Sequence, residues 1–501
     1  MAINVLDIAI IVIYFFGLIA IGVIVSRRIK THEDSMVAGR SFGSFLAGVG
    51  KAANLAGGST SVGGTGYGYT YGISGSWFGI ANIILGLVLA PIAPRIWRAM
   101  TRGGFTSVGE YLGYRFGRFA QVFAGFLNTC AFIGFVSAQI VATATIMTVL
   151  FGWDYTFSAV ISTVIVIVYT ILGGLKAVVY TDCMQMAIIY LGIVIILPIM
   201  AVHAVGGFGE IWSNIPTNLQ QIGSMGWFQI IGVILIPTIT APFTIQSTYT
   251  YTAACKTAKT ARNANLWGSL FYAFPAFAVI LIGLCCYVMY PDLASDQDAL
   301  PTIITELLPN GLIGLLLAAV LSATMSTSST GLLCAVNCFT SDVVFVIRDA
   351  IKNRSDRKIE EGKATEGKKE VLTLAATRIV IAIIGVFTLI GSLYFPNIIE
   401  LILLGYSLIC GGLLVPAVAT MFSKRATKPA AIVSMLSGGI SYLILSFTVS
   451  WPAIFLAVPI SAVLMIVVSL CTKKPDPLTY DLYFEDEWEQ SPNNPQNRQK
   501  Q

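Results

Sequence analysis

Long apolar runs follow one another along nearly the whole chain, separated by short polar loops. A hydrocarbon core about 30 Å thick takes about 20 apolar residues per helical crossing. Thirteen stretches meet that length: residues 5–25, 43–71, 77–99, 119–150, 154–173, 177–205, 226–249, 264–290, 310–345, 371–394, 398–422, 429–449 and 452–471. They predict an all-α, polytopic membrane protein with about 13 transmembrane helices. The first stretch has neither a charged leader nor a small-residue cleavage site, so it is expected to be a span and not a signal peptide.

Composition supports this class. The 501 residues are 56% hydrophobic and only 11% charged, where soluble domains carry about 25% charged residues. Basic residues gather in alternate loops: Arg27, Arg28, Lys30 and Arg40; Arg95 to Arg118; Lys176; Lys256 to Arg262; Arg348 to Lys369; Lys424 to Lys428; Lys473 and Lys474. Cytoplasmic loops carry such an excess, which predicts an outside amino terminus, a cytoplasmic carboxyl terminus and insertion in the plasma membrane. Residues 1–471 form one transmembrane domain on this basis. Residues 472–501 are expected to be a short, weakly ordered cytoplasmic tail, too small for an output domain. The net charge of +5 is this loop bias and gives no reason to invoke nucleic acid. The nine cysteines fall mostly within spans, where they serve as small packing residues.

Three polar islands interrupt the spans. The first, "KAANLAGGSTSVGG" (51–64), places two Gly-Gly pairs inside the second span; glycine costs about 1 kcal/mol relative to alanine in a helix, so an interrupted helix is expected. Irregular backbone at membrane depth lines a cavity or is buried in protein. The second is Asp182, about six residues into the sixth span, where an acid is costly and by default functional. The third is "SATMSTSST" (322–330), seven hydroxyls in nine positions of the ninth span. Ser326, Thr327, Ser329 and Thr330 share one helical face by their three- and four-residue spacing. Ser322, Thr324 and Ser328 are left as packing residues.

At the helical rise, Ala53 lies roughly 16 Å and Ser326 roughly 24 Å into their spans, and Asp182 roughly 9 Å above Lys176. All three islands therefore fall within the inner half of the membrane. Hydroxyls, freed backbone carbonyls and one carboxylate are the ligands a hard monovalent cation wants. Two histidines in the whole chain, His32 and His203, are too few for a transition-metal site. Lys51, two residues from Ala53, is expected to snorkel to the cytoplasmic face.

These residues resemble the sodium:solute symporters, a family that includes bacterial proline, pantothenate and sialic acid permeases and animal sodium-glucose transporters. "SRRIKTHEDSMVAGRSFG", "YGISGSW", "GGLKAVVYTDCMQ" and "AATRIVIA" resemble family loops and helix starts. "ATMSTSSTGLLCAVNCFTSD" is similar to the family's sodium-binding ninth span. The resemblance implies an inverted five-plus-five helix repeat (LeuT-like) with extra helices at both ends, and Na+ as coupling ion. It implies a sodium site of Ser326 and Thr327 hydroxyls with the backbone carbonyls of Ala53, Ala56 and Ala323. It further implies a second sodium site of Asp182, Ser326, Ser329 and Thr330, found in some members. Leu55 stands where the proline permease has an acid, and the fourth span lacks the arginine of the sialic acid type, so neither substrate is expected.

The function expected is symport of sodium with a small polar organic solute into the cell. Gly57, Gly58 and Thr60 at the break, with Gln139 and secondarily Gln246, are the candidate solute contacts. The alternatives are a transporter-like sensor, a proton-coupled symporter and a channel. An enzyme is not expected, because no nucleophile with a base and no paired intramembrane acids are evident. Solute identity and oligomeric state are not encoded in any motif.

Overall fold

The computed structural model describes residues 4–26, 37–172, 175–356, 374–395, 397–449 and 451–498, and among them the fold is all-helical. Arg27, Arg28, Lys30 and His32, the glycines Gly173 and Gly174, and the basic run from Arg357 to Lys369 lie outside the described residues. Among the described residues nine helices are long and apolar enough to cross a membrane, or ten when the pair Trp227–Phe243 and Gln246–Ala253, bent by 43°, counts as one. Two shorter apolar helices, Val5–Leu18 and Tyr155–Ile171, stand at the expected first and fifth spans.

The second span is broken as expected, into Ser44–Leu55 and Gly64–Tyr71 joined by a wide turn over Ser59–Gly63. Both halves and the third span, Ser76–Leu89, pack on the long helix Ala258–Met289 through glycines. A Cβ on Gly48, Gly64 or Gly68 would strike Trp267, Val279 or Ile280 in ascending order, and one on Gly79 or Gly86 would strike Ala276 or Ser269 in descending order. The chain therefore reverses between these helices. Gly72 makes the reversal, with φ of +58° and its missing side chain 2.2 Å from the Leu219 carbonyl oxygen, a conformation and a contact that only glycine accepts.

The seventh span breaks as well, which the hydropathy did not reveal. Its helix passes through Ile236–Thr240, ends in a tight turn over Ala241–Phe243 and restarts at Gln246. Pro237 and Pro242 are the local cause, since proline removes a helical hydrogen bond and crowds the preceding turn. In the five-plus-five repeat that the family resemblance implies, the second and seventh spans are the first members of the two halves, and both are broken.

The tail corrects an expectation. Residues 477–498 fold into short helices that dock on Ala93–Arg102 and Val108–Phe116. Tyr483 is buried edge-on against Tyr111, with ring centres 4.9 Å apart, and donates its hydroxyl to the Tyr111 carbonyl. Asp481, also buried, accepts from Tyr114 at 2.9 Å and from Asn493 at 2.9 Å. Arg115 lies over the rings of Tyr480 and Phe484; burial pulls its guanidinium down to about 10, still a cation at neutral pH. Glu485 pairs with Arg98 and Arg102, and Lys424 with Asp486 and Glu487. Exposed pairs of this kind contribute about 0–1 kcal/mol each, so the buried aromatic anchor is what holds the tail.

Candidate ion and solute site at the broken second span

A helix end leaves its last four carbonyls without intrahelical partners, and here each finds one. The Ala52 carbonyl accepts from the Ala56 N–H at 2.8 Å, which makes Ala56 the cap. The Ala53 carbonyl accepts from Ser326 Oγ at 3.1 Å, the Asn54 carbonyl from Thr327 Oγ1 at 2.9 Å, and the Leu55 carbonyl from Thr60 Oγ1 at 2.9 Å. Two of the four partners come from the ninth-span helix Leu312–Asn337, so the hydroxyl face meets the break directly. Ser326 and Thr327 also reach the Ala323 carbonyl, at 2.9 and 3.2 Å.

The next turn of the hydroxyl face carries a second cluster. Ser329 Oγ donates to the Ser326 carbonyl at 3.2 Å. Tyr251 stands between Thr330 and Asp182: its hydroxyl is 3.4 Å from Thr330 Oγ1, 3.5 Å from Asp182 Oδ2 and 3.2 Å from the Gly50 carbonyl. Asp182, Ser326, Ser329 and Thr330 are all fully buried, and Asp182 Oδ1 has no hydrogen-bond partner. A buried carboxylate with an unfilled oxygen is costly, and an oxygen-only surround suits a hard cation. Tyr251 was missed in the sequence, although "QSTYTYTA" is an unusually polar run for a span.

The expected solute residues are placed differently. Gln139 Oε1 accepts from the Gly58 N–H at 2.6 Å, so the fourth span pins the break. Thr60 is shared between the Leu55 carbonyl and the Tyr272 hydroxyl, 2.9 Å from each. Gln246 is spent on Val108 N–H, the Thr106 carbonyl and Thr250. The central cavity, about 60 Å³, is lined instead by Lys51, Asn54, Ser59, Asn82, Tyr251 and Thr327 among others; Gly57, Gly58, Thr60 and Gln139 do not line it. At 10–15 Å³ per water, that is room for about four waters. Thr327 belongs both to this cavity and to the hydroxyl–carbonyl cluster.

Lys51 does not snorkel. It is 8% exposed, and its ammonium donates to Asn265 Oδ1. Depth along its own helix allowed an escape to the surface, but Gly48 and Gly268 bring Ala258–Met289 close enough to cover that path.

A further buried polar knot ties loops to spans. Ser107 Oγ donates to Asp342 Oδ1 at 2.5 Å, and Asn337 Nδ2 donates to the Thr106 carbonyl at 2.8 Å. Gln246 joins the same loop to the restart of the seventh span.

Among solved structures, a Na+-coupled sialic acid symporter in a substrate-bound, outward-open state has the same fold. The TM-score is 0.77 at 20% identity, covering 94% of this chain and 99% of that one. The fold is thus the inverted five-plus-five architecture. A nucleobase-cation-symport-1 family transporter superposes more distantly, at a TM-score of 0.55 and 15% identity over 92% and 97% of the two chains. Rabbit sodium/glucose cotransporter 1 (Oryctolagus cuniculus) is 27% identical over 71% of this chain, which spans about 60% of that relative's length. The osmoregulated proline transporter OpuE of Bacillus subtilis (strain 168) is 26% identical over 94% of this chain and 96% of its own. Residues 36–438 match the sodium:solute symporter family, and the chain belongs to that family.

Proposed function

We propose that this protein is a secondary active transporter that carries Na+ and a small polar organic solute together into the cell. The observation that carries the proposal is the meeting of Ser326 and Thr327 with the Ala53, Asn54 and Ala323 carbonyls at a broken span beside the central cavity. Sodium held by Ala53, Ala56, Ala323, Ser326 and Thr327 ties the two helices together and favours the state that accepts solute. Asp182, Ser326, Ser329 and Thr330 form a second sodium site. Symporter sites near the midplane are typically built at such discontinuous helices, and coupling requires only that each ligand prefer particular states.

The basic loops support an outside amino terminus and a cytoplasmic carboxyl terminus. One charge crossing 100 mV yields about 2.3 kcal/mol, and a tenfold sodium gradient adds about 1.4. One ion then sustains roughly 500-fold accumulation of a neutral solute, and two ions roughly square it.

The test needs no known solute: thermal stability of the purified protein in sodium chloride against potassium chloride. A ligand that binds only the folded state stabilises it by RT ln(1 + [L]/Kd). Sodium should stabilise the wild type, and Ser326→Ala and Asp182→Ala should each shrink the shift. Equal stability of the wild type in the two salts would refute sodium coupling.

A further inference from the structure

Lys51 is a cation placed beside a proposed cation site, and the symport reading leaves it without work. Lys51, Asn54 and Leu55 share one helical face by their spacing, and all three line the central cavity. Ala53 does not line it, and its carbonyl accepts from Ser326. The lysine side chain therefore borders the solute space, while its neighbours' carbonyls serve the hydroxyl face. Its one hydrogen-bond partner, Asn265 Oδ1, is neutral. Among the described residues no carboxylate pairs with it.

An ammonium offers three donors, and one asparagine oxygen occupies one of them. Burying a cation without a counter-charge is strongly unfavourable, and here its field also opposes sodium binding. Both penalties fall when a negative group enters the cavity and pairs with the ammonium. Around that point the walls supply neutral donors and acceptors from Asn54, Asn82, Ser247 and Thr248, and no acid. A cationic solute would find no counter-ion in this lining, and a sugar would leave the charge uncompensated.

We propose that Lys51 is the anion-recognition residue of the solute site and that the co-transported solute carries a carboxylate. The inference rests on the symport reading and narrows it. The carboxylate takes the free N–H donors of Lys51, and its charge lowers the cost of the sodium held one turn away through Thr327, which contacts both spaces. Solute and ion then each favour the other's binding.

The experiment measures melting temperature in sodium chloride and in potassium chloride, titrating propionate and lactate against their neutral counterparts propionamide and lactamide. It compares wild type, Lys51→Gln, Lys51→Met and Lys51→Arg. The carboxylates should stabilise the wild type in sodium and not in potassium, and the amides should do neither. A hydrogen bond to a charged group is worth enough that Lys51→Gln and Lys51→Met should raise the carboxylate midpoint roughly 10- to 150-fold, with Lys51→Arg recovering most of the loss. A sodium shift in each variant verifies that it is folded. The proposal is overturned if the amides act as well as the carboxylates, if no carboxylate acts while sodium alone stabilises, or if the neutral variants keep the wild-type midpoint. Absence of the sodium shift in the wild type would instead overturn the symport reading, and this inference with it.

Discussion

Gly57→Ala places one methyl group where the ninth span closes on the break. The new Cβ would stand 2.4 Å from Thr327 Oγ1, 2.7 Å from Gln139 Oε1 and 3.0 Å from Thr327 Cβ. Carbon and oxygen rest at about 3.3–3.6 Å, so Thr327 or the break must yield by roughly 1 Å. Thr327 Oγ1 spans the Asn54 and Ala323 carbonyls at 2.9 and 3.2 Å, and a displacement of that size removes it from both. Overpacking costs about 1–3 kcal/mol. If that cost falls on the ion-holding arrangement, sodium affinity drops roughly 5- to 140-fold at 1.4 kcal/mol per decade. The assay is melting temperature against sodium concentration, with potassium keeping ionic strength constant. Gly209→Ala, whose Cβ would meet nothing within 4 Å, is the control and should keep the wild-type midpoint. A Gly57→Ala midpoint within about twofold of wild type, a difference under 0.5 kcal/mol, would refute the reasoning.

Tyr483→Ala should release the tail, because loss of a buried aromatic ring costs about 3–5 kcal/mol; faster tryptic cleavage after Lys473 would register it, and unchanged cleavage would count against the anchor. Asp342→Ala strips a partner from Ser107 and Gln121 and should cost about 1–3 kcal/mol for each group left unsatisfied. It should lower the melting temperature equally in sodium and potassium, and a loss confined to sodium would place Asp342 in the ion site. Asp182→Ala should reduce the sodium-to-solute ratio in proteoliposomes from two to one, and an unchanged ratio would remove the second site.

The apolar runs made the span order legible, and the two Gly-Gly pairs marked the break in the second span. Ser326 and Thr327 were legible because helical spacing alone puts them on one face. What the sequence hid depends on neighbours distant in the chain. Lys51 could be given a depth but not a cover, since the cover is a helix more than 200 residues away that approaches through Gly48 and Gly268. Gln139 was a plausible solute contact until the Gly58 N–H claimed it. The seventh-span break was signalled by Pro237 and Pro242, whose apolar surroundings masked it in the hydropathy. In the tail, polarity and prolines outweighed Tyr480, Tyr483, Phe484 and Trp488, an aromatic density that a disordered segment has no use for.

Sodium held where the broken second span meets the ninth is the central claim, and radiolabelled sodium counted per purified molecule tests it most directly. Binding should saturate at two ions, be displaced by unlabelled sodium and not by potassium, fall to one ion in Asp182→Ala, and be largely lost in Ser326→Ala, which touches both sites. Saturable binding that survives Ser326→Ala intact, or no saturable binding in the wild type, would contradict it.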